Sequence, residues 1–200
     1  GFYNAEICEG INLIKTNDPN GKTILYDKCG NELFPSGSYK SMFYVIGKEK
    51  GSGLFFICTR ETGEKDIYNN ELELVMSLPE GISVRDIQNG MILYNVLIPT
   101  GDSEKPYIWT GSYGYLNMNG EILATGQYSS SEDYYTDIIE DYRFSEDFAI
   151  LNIGDRYGYI NNKGKVVIPL KYTAVTPFID GVCFARSKEG KWEKILINNL

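Results

Sequence analysis

The chain has 200 residues, 42% hydrophobic and 23% charged, a globular composition that excludes a disordered or fibrous chain and fits one domain. Its formal net charge of -8 and pI near 4.7 repel phosphate backbones and anionic bilayers, so neither nucleic acid nor membrane insertion is expected. There is no histidine, which removes every Ser-His-Asp or Cys-His nucleophile, and no apolar run approaches the roughly 18 residues of a spanning helix.

Sixteen tyrosines, and 21 glycines against 7 prolines, predict many short strands joined by tight turns. In chain order, "EGINLIK" (9 to 15) is a first apolar strand, and "NDPNG" (17 to 21) is a turn. Asp18 and Asn20 suggest the start of a calcium loop, but no glutamate stands at the twelfth position, so the turn reading holds. "ILYDKCGNELFP" (24 to 35) reads as a hairpin with Gly30 in its turn. "GKEKGSG" (47 to 53) has glycines without phosphate-loop spacing and reads as a turn, and "FFICTRETGEK" (55 to 65) is a weaker hairpin.

The second half repeats itself. "NGMILYN" (89 to 95), "EDFAILNI" (146 to 153) and "DGVCFARS" (180 to 187) share an acidic or amide lead, an apolar run and a polar end, the last two at an offset of 34. "YGYLNMNGEIL" (113 to 123) and "YGYINNKGKVV" (157 to 167) match at an offset of 44, setting Gly114 on Gly158, Asn117 on Asn161 and Gly120 on Gly164. "GKWEKILIN" (190 to 198) begins another copy. Each copy reads as a hairpin whose turn glycine takes a positive φ. Tyr157 and Tyr159 point to one face of their strand while Gly158 leaves room on the other for a neighbouring backbone or ring. Pro35 and Pro169, which lack a backbone donor, are expected to stop their strands or sit at an edge.

The predicted fold is all-β: tandem antiparallel three-stranded meanders with approximate limits 4–36, 37–82, 83–141, 142–177 and 178–200 in a single domain. Propeller-like or barrel-like closure is the simplest assembly, with the final strand (193 to 198) pairing with the first unit to hide both edges, and an open stack is the alternative. Cys58 and Cys183 lie in apolar runs and are read as buried free thiols; Cys8 and Cys29 form no close pair with them. Without histidine or closely spaced cysteines, no metal or cofactor site is expected.

These residues resemble the WG repeat family, also called the KWG repeat, found in many bacterial proteins. The best match is 144 to 177, followed by 178 to 200, where Trp192 supplies the tryptophan of the pattern; 83 to 128 match in part, and 1 to 82 only through turn glycines and strand rhythm. Tyr113 and Tyr157 replace the usual tryptophan, and Glu193 replaces a glycine. The resemblance implies a bacterial β-repeat scaffold with no general activity and no catalytic residues to carry over.

The expectation is therefore a non-catalytic binding or interaction module, exported or at the cell surface, with protein, peptide or glycan as partner. Two long polar stretches, 99 to 112 and 129 to 143, are read as loops where a ligand would sit. Trp109, Tyr113, Tyr134 and Tyr135, in or beside them, are the candidate contacts. A carbohydrate-active enzyme is the alternative, and it needs two carboxylates facing each other across a cleft. Glu132 with Asp133, Glu140 with Asp141 and Glu146 with Asp147 are adjacent residues and read instead as solvated surface.

Overall fold

The computed structural model describes residues 3–8, 13–35, 38–46, 53–128 and 142–199. They fall into two compact units, one of the described residues up to 82 and one of those from 83 onward. The architecture is all-β. Among the described residues a 3-10 turn lies at Ile197–Asn199, and no helix is long and apolar enough to cross a membrane.

The first unit holds two antiparallel sheets. One runs through β1 (Tyr3–Cys8), β2 (Leu13–Asn17) and β3 (Thr23–Asp27). The other runs through β4 (Ser41–Ile46), β5 (Leu54–Thr59), β6 (Lys65–Tyr68) and β7 (Leu74–Leu78). The second unit holds three: β8 (Ile82–Gln88) to β11 (Ile122–Gln127), with β9 at Met91–Pro99 and β10 at Tyr107–Asn117; then β12 (Phe148–Ile153), β13 (Arg156–Asn161) and β14 (Val166–Tyr172); then β15 (Ala174–Val175), β16 (Val182–Arg186) and β17 (Trp192–Leu196). Every sheet is a meander of sequential neighbours, as the repeats predict, but the second and third sheets have four strands rather than three. Among the described residues no sheet closes into a barrel. The strand expected to close the array, β17, is the outer strand of the fifth sheet and pairs with β16.

One hairpin turn recurs seven times among the described residues, at 18–22, 27–31, 60–64, 69–73, 117–121, 161–165 and 187–191. In each, the first amide donates to the fifth carbonyl and the fourth amide to the first carbonyl. The fourth residue is left-handed: Gly30 has φ 84°, Gly120 82° and Gly164 74°, the conformation a three-residue hairpin loop with a bulge requires. Leu72, at φ 63°, is the one non-glycine there. Five of the seven start on Asp or Asn, whose Oδ1 accepts the amides two and four residues on; Asn161 accepts from Lys163 and Lys165, both at 3.0 Å. "NDPNG" is such a turn, with Asp18 accepting from the Asn20 and Lys22 amides at 2.8 Å each.

The aromatic-glycine-aromatic motif packs as its alternation predicts. A Cβ on Gly158 would lie 2.4 Å from the Ile168 carbonyl oxygen, and one on Gly114 would lie 2.4 Å from the Tyr94 ring. Pro169 does not end its strand. β14 continues to Tyr172, and the register slips between Tyr159↔Ile168 and Tyr157↔Tyr172, so the donor-less proline sits in a bulge on an outer strand, against Gly158. After the first unit's hairpin turn only the isolated bridge Tyr26↔Glu32 forms, short of Pro35.

Candidate binding cleft

The stretch 99 to 112, read from sequence as a loop, is a loop only over 100–106. β9 runs out to Pro99 and β10 starts at Tyr107, so the two strands extend together with Ile98 opposite Ile108 and Leu97 opposite Trp109. The ladder then breaks. Thr110, Gly111 and Ser112 stand opposite Val96 alone before pairing resumes at Tyr113↔Asn95. Gly111, at φ 76°, permits this bulge, and Thr110 fixes it by donating from Oγ1 to the Val96 carbonyl at 2.9 Å and accepting the Ser112 amide at 3.1 Å.

The bulge opens one wall of a cavity of about 480 Å³ lined by Val96, Thr110, Ser112, Tyr113, Thr125 to Gln127, and Ile153. Thr110 and Ser112 on β10, and Thr125 and Gln127 on β11, present hydroxyl and amide groups at two-residue spacing, with Ser112 and Gln127 directly paired across the strands. Among the described residues the lining carries no carboxylate, amine, guanidinium or thiol.

Of the four aromatic residues the sequence singles out, the structure brings two together. Trp109 and Tyr113 pack on the same ring, Tyr128, at centroid distances of 5.5 and 4.7 Å. Trp109 is half-buried in β10 rather than on a loop; Tyr113 is buried. The Tyr113 hydroxyl accepts the Asn152 amide at 2.8 Å and donates to the Ile150 carbonyl at 3.3 Å, so it ties the third sheet to the fourth. Burial, reinforced by the neighbouring Tyr142, holds that hydroxyl well above the usual tyrosine range, and it stays neutral. Tyr134 and Tyr135 lie outside the described residues. Thr110, Ser112, Thr125 and Gln127 were not singled out, although their alternation on two neighbouring strands is a readable sign of a polar face.

A separate polar centre sits in the first unit. Asp66, 2% exposed, accepts from Arg60 Nε and Nη2 at 2.9 and 2.7 Å, Ser77 Oγ at 2.6 Å and Tyr39 OH at 2.9 Å; the Tyr39 and Tyr68 hydroxyls are 2.6 Å apart. Burial alone would raise the Asp66 carboxyl, but the hydrogen bonds from Ser77, Arg60 and Tyr39 and the Arg60 charge hold it below the ordinary value. Nearby, burial and the Asp66 charge push the Cys58 thiol up to about 12. Each oxygen of this carboxylate is satisfied within the protein, so the centre is structural. Cys58 and Cys183 are buried free thiols, and Cys29 is free but exposed. Among the described residues no cluster of three or more Cys, Asp or Glu could hold a metal.

Residues 157–192 match the family model described as WG containing repeat. No curated protein matches the chain. Among solved structures, BamB from Moraxella catarrhalis is similar with a TM-score of 0.38 and 12% identity over 96% of this chain; the chain spans 57% of that protein. The computationally designed Ika4 protein has a TM-score of 0.33 and 10% identity over 76% of this chain and 96% of its own. A virginiamycin B lyase from Staphylococcus aureus, solved with quinupristin, has a TM-score of 0.30 and 14% identity over 98% of this chain and 70% of its own. Likenesses this distant carry no functional argument. The matched stretch runs from the Tyr157-Gly158-Tyr159 motif through β14, β15 and β16 to Trp192, and over those residues the chain is similar to a WG-containing repeat.

Proposed function

We propose that this protein is a non-catalytic binding module that holds an uncharged ligand, rich in hydroxyl or amide groups, in the cleft beside the β10 bulge. The observation that carries the reading is the lining: Thr110, Ser112, Thr125 and Gln127 offer hydrogen bonds, Val96 and Ile153 offer apolar contact, and the described lining has no charged group to attract an ion or move a proton. Neutral glycans are the first class to test and extended peptides the second. The same reading takes the sheets as blades of a propeller-like array on an exported bacterial protein.

A glycan array, followed by isothermal titration of any hit, is the direct experiment. Ser112→Ala with Gln127→Ala should weaken binding by about tenfold or more while leaving the melting temperature unchanged, because loss of two hydrogen bonds to a ligand is worth roughly that much. Binding that survives both substitutions would place the ligand elsewhere. Release of reducing ends from any bound glycan would favour a carbohydrate-active enzyme instead.

A further inference from the structure

The second unit repeats one packing rule. Alternation along each strand sends one set of side chains toward the next sheet. On the third sheet the set is Met91, Leu93 and Asn95 of β9 with Tyr113 and Tyr115 of β10, all buried. Tyr115 lies 5.2 Å from Phe144, ring to ring, and donates to the Tyr142 carbonyl at 2.6 Å. On the fourth sheet the matching set is Phe148, Ile150 and Asn152 with Tyr157 and Tyr159. Here Phe178 of the following repeat covers it, 4.9 Å from Phe148 and 5.2 Å from Tyr159, and the Tyr159 hydroxyl donates to the Thr176 carbonyl at 2.6 Å.

The 34-residue offset carries Phe148, Ile150 and Asn152 onto Val182, Phe184 and Arg186, and the β16–β17 register places Leu196, Lys194 and Trp192 beside them. On this sheet the set is bare: Phe184 is 45% exposed, Trp192 55% and Leu196 39%. A contiguous exposed apolar face of this kind marks an interaction surface.

We propose that this face of β16 and β17 is a docking surface for a further β-repeat of the same kind, seated as the fifth repeat is seated on the fourth. Continuity with the two established contacts gives the geometry. Charge gives the class of partner. The face carries Arg186 and Lys194 where the fourth sheet has Asn152 and Tyr159. The lead-in segments of this chain's own repeats pair a covering phenylalanine with an acid two residues later, Phe144 with Glu146 and Phe178 with Asp180.

The test extends the chain after Leu200 with a copy of its own residues 163–200, the copied tryptophan replaced by phenylalanine. Trp192 emission should shift to the blue and its acrylamide quenching fall severalfold, and Phe184→Asp should abolish both changes in the extended chain while leaving the stability of the natural chain unaltered. Equal quenching of Trp192 in the two chains would overturn the proposal. So would concentration-dependent protection of Trp192 in the natural chain with a dimer mass, which would make a second copy the occupant, or protection by a neutral glycan. Should the extended chain not fold, a synthetic peptide of residues 173–181 reads the same contact: saturable protection of Trp192, lost with Phe178→Ala in the peptide, is expected, and no response rejects the idea.

Discussion

The two units of this chain bury polar groups in different ways. In the first, one carboxylate, Asp66, gathers a guanidinium and two hydroxyls into a single network. In the second, beside the pair Asp86 with Arg143 at 3.4 Å, tyrosine hydroxyls reach main-chain groups: Tyr113 to Ile150 and Asn152, Tyr115 to Tyr142 and Ile150, Tyr159 to Thr176. A charge network concentrates the cost of failure at one residue, because every partner loses its acceptor together. A ladder of hydroxyl-to-backbone bonds divides that cost, so single losses should be mild and packing should dominate.

Asp66→Ala should therefore be the most damaging single change, costing about 3 kcal/mol in urea unfolding, since it removes at once the buried acceptor of four hydrogen bonds, two of them from a guanidinium. A loss under 1 kcal/mol would dissolve the contrast between the units. Acid should reach the same network by titration. Because the folded Asp66 carboxyl sits below its ordinary 3.8, its contribution is complete above that value and disappears as pH falls through the lower folded value. An acid-unfolding profile that keeps its steepness below pH 4 in Asp66→Asn would contradict this assignment.

Gly158→Ala comes next, at about 2 kcal/mol, because the new methyl meets the Ile168 and Pro169 backbone, which cannot rotate aside as a side chain can. Thermal denaturation followed by near-ultraviolet circular dichroism reads it. Tyr115→Phe should cost about 1 to 1.5 kcal/mol, with the ring packing kept, because one hydroxyl proton is shared between the Tyr142 and Ile150 carbonyls. Alkaline pH should weaken the second unit, since burial raises Tyr113 and Tyr115: their contribution is whole below the ordinary tyrosine value and is lost as pH rises through the folded one. The smallest change should be a gain. Asp147 holds φ 69° where the matching position 34 residues on is Gly181, so Asp147→Gly should stabilise by about 0.5 kcal/mol.

Most of the second unit was legible from sequence for a physical reason: positive φ needs glycine, and Asn or Asp caps the turn, so Asn117, Gly120, Asn161 and Gly164 mark the hairpins directly. The aromatic-glycine-aromatic motif likewise announced close packing. The extension of β10 was not legible, because Pro99, Gly101 and Pro106 lie close together and look like an unbroken loop, although only 100–106 is one. The cleft is hidden in the sequence for the same reason, since Thr110 and Ser112 fall inside what looks like a loop. The Asp66 network had no local signature at all: Arg60, Ser77 and Tyr39 lie 6, 11 and 27 residues away, and nothing in the chain's rhythm joins them.

That successive repeats are locked by aromatic hydroxyls gripping the next sheet's main chain is tested most directly by hydrogen exchange at the Asn152 amide, which donates to Tyr113 OH rather than along its own ladder. The account predicts exchange as slow as that of the neighbouring β12 amides in the natural chain, accelerated by about tenfold or more in Tyr113→Phe. Rapid exchange in the natural chain, or a rate indifferent to the substitution, would contradict it.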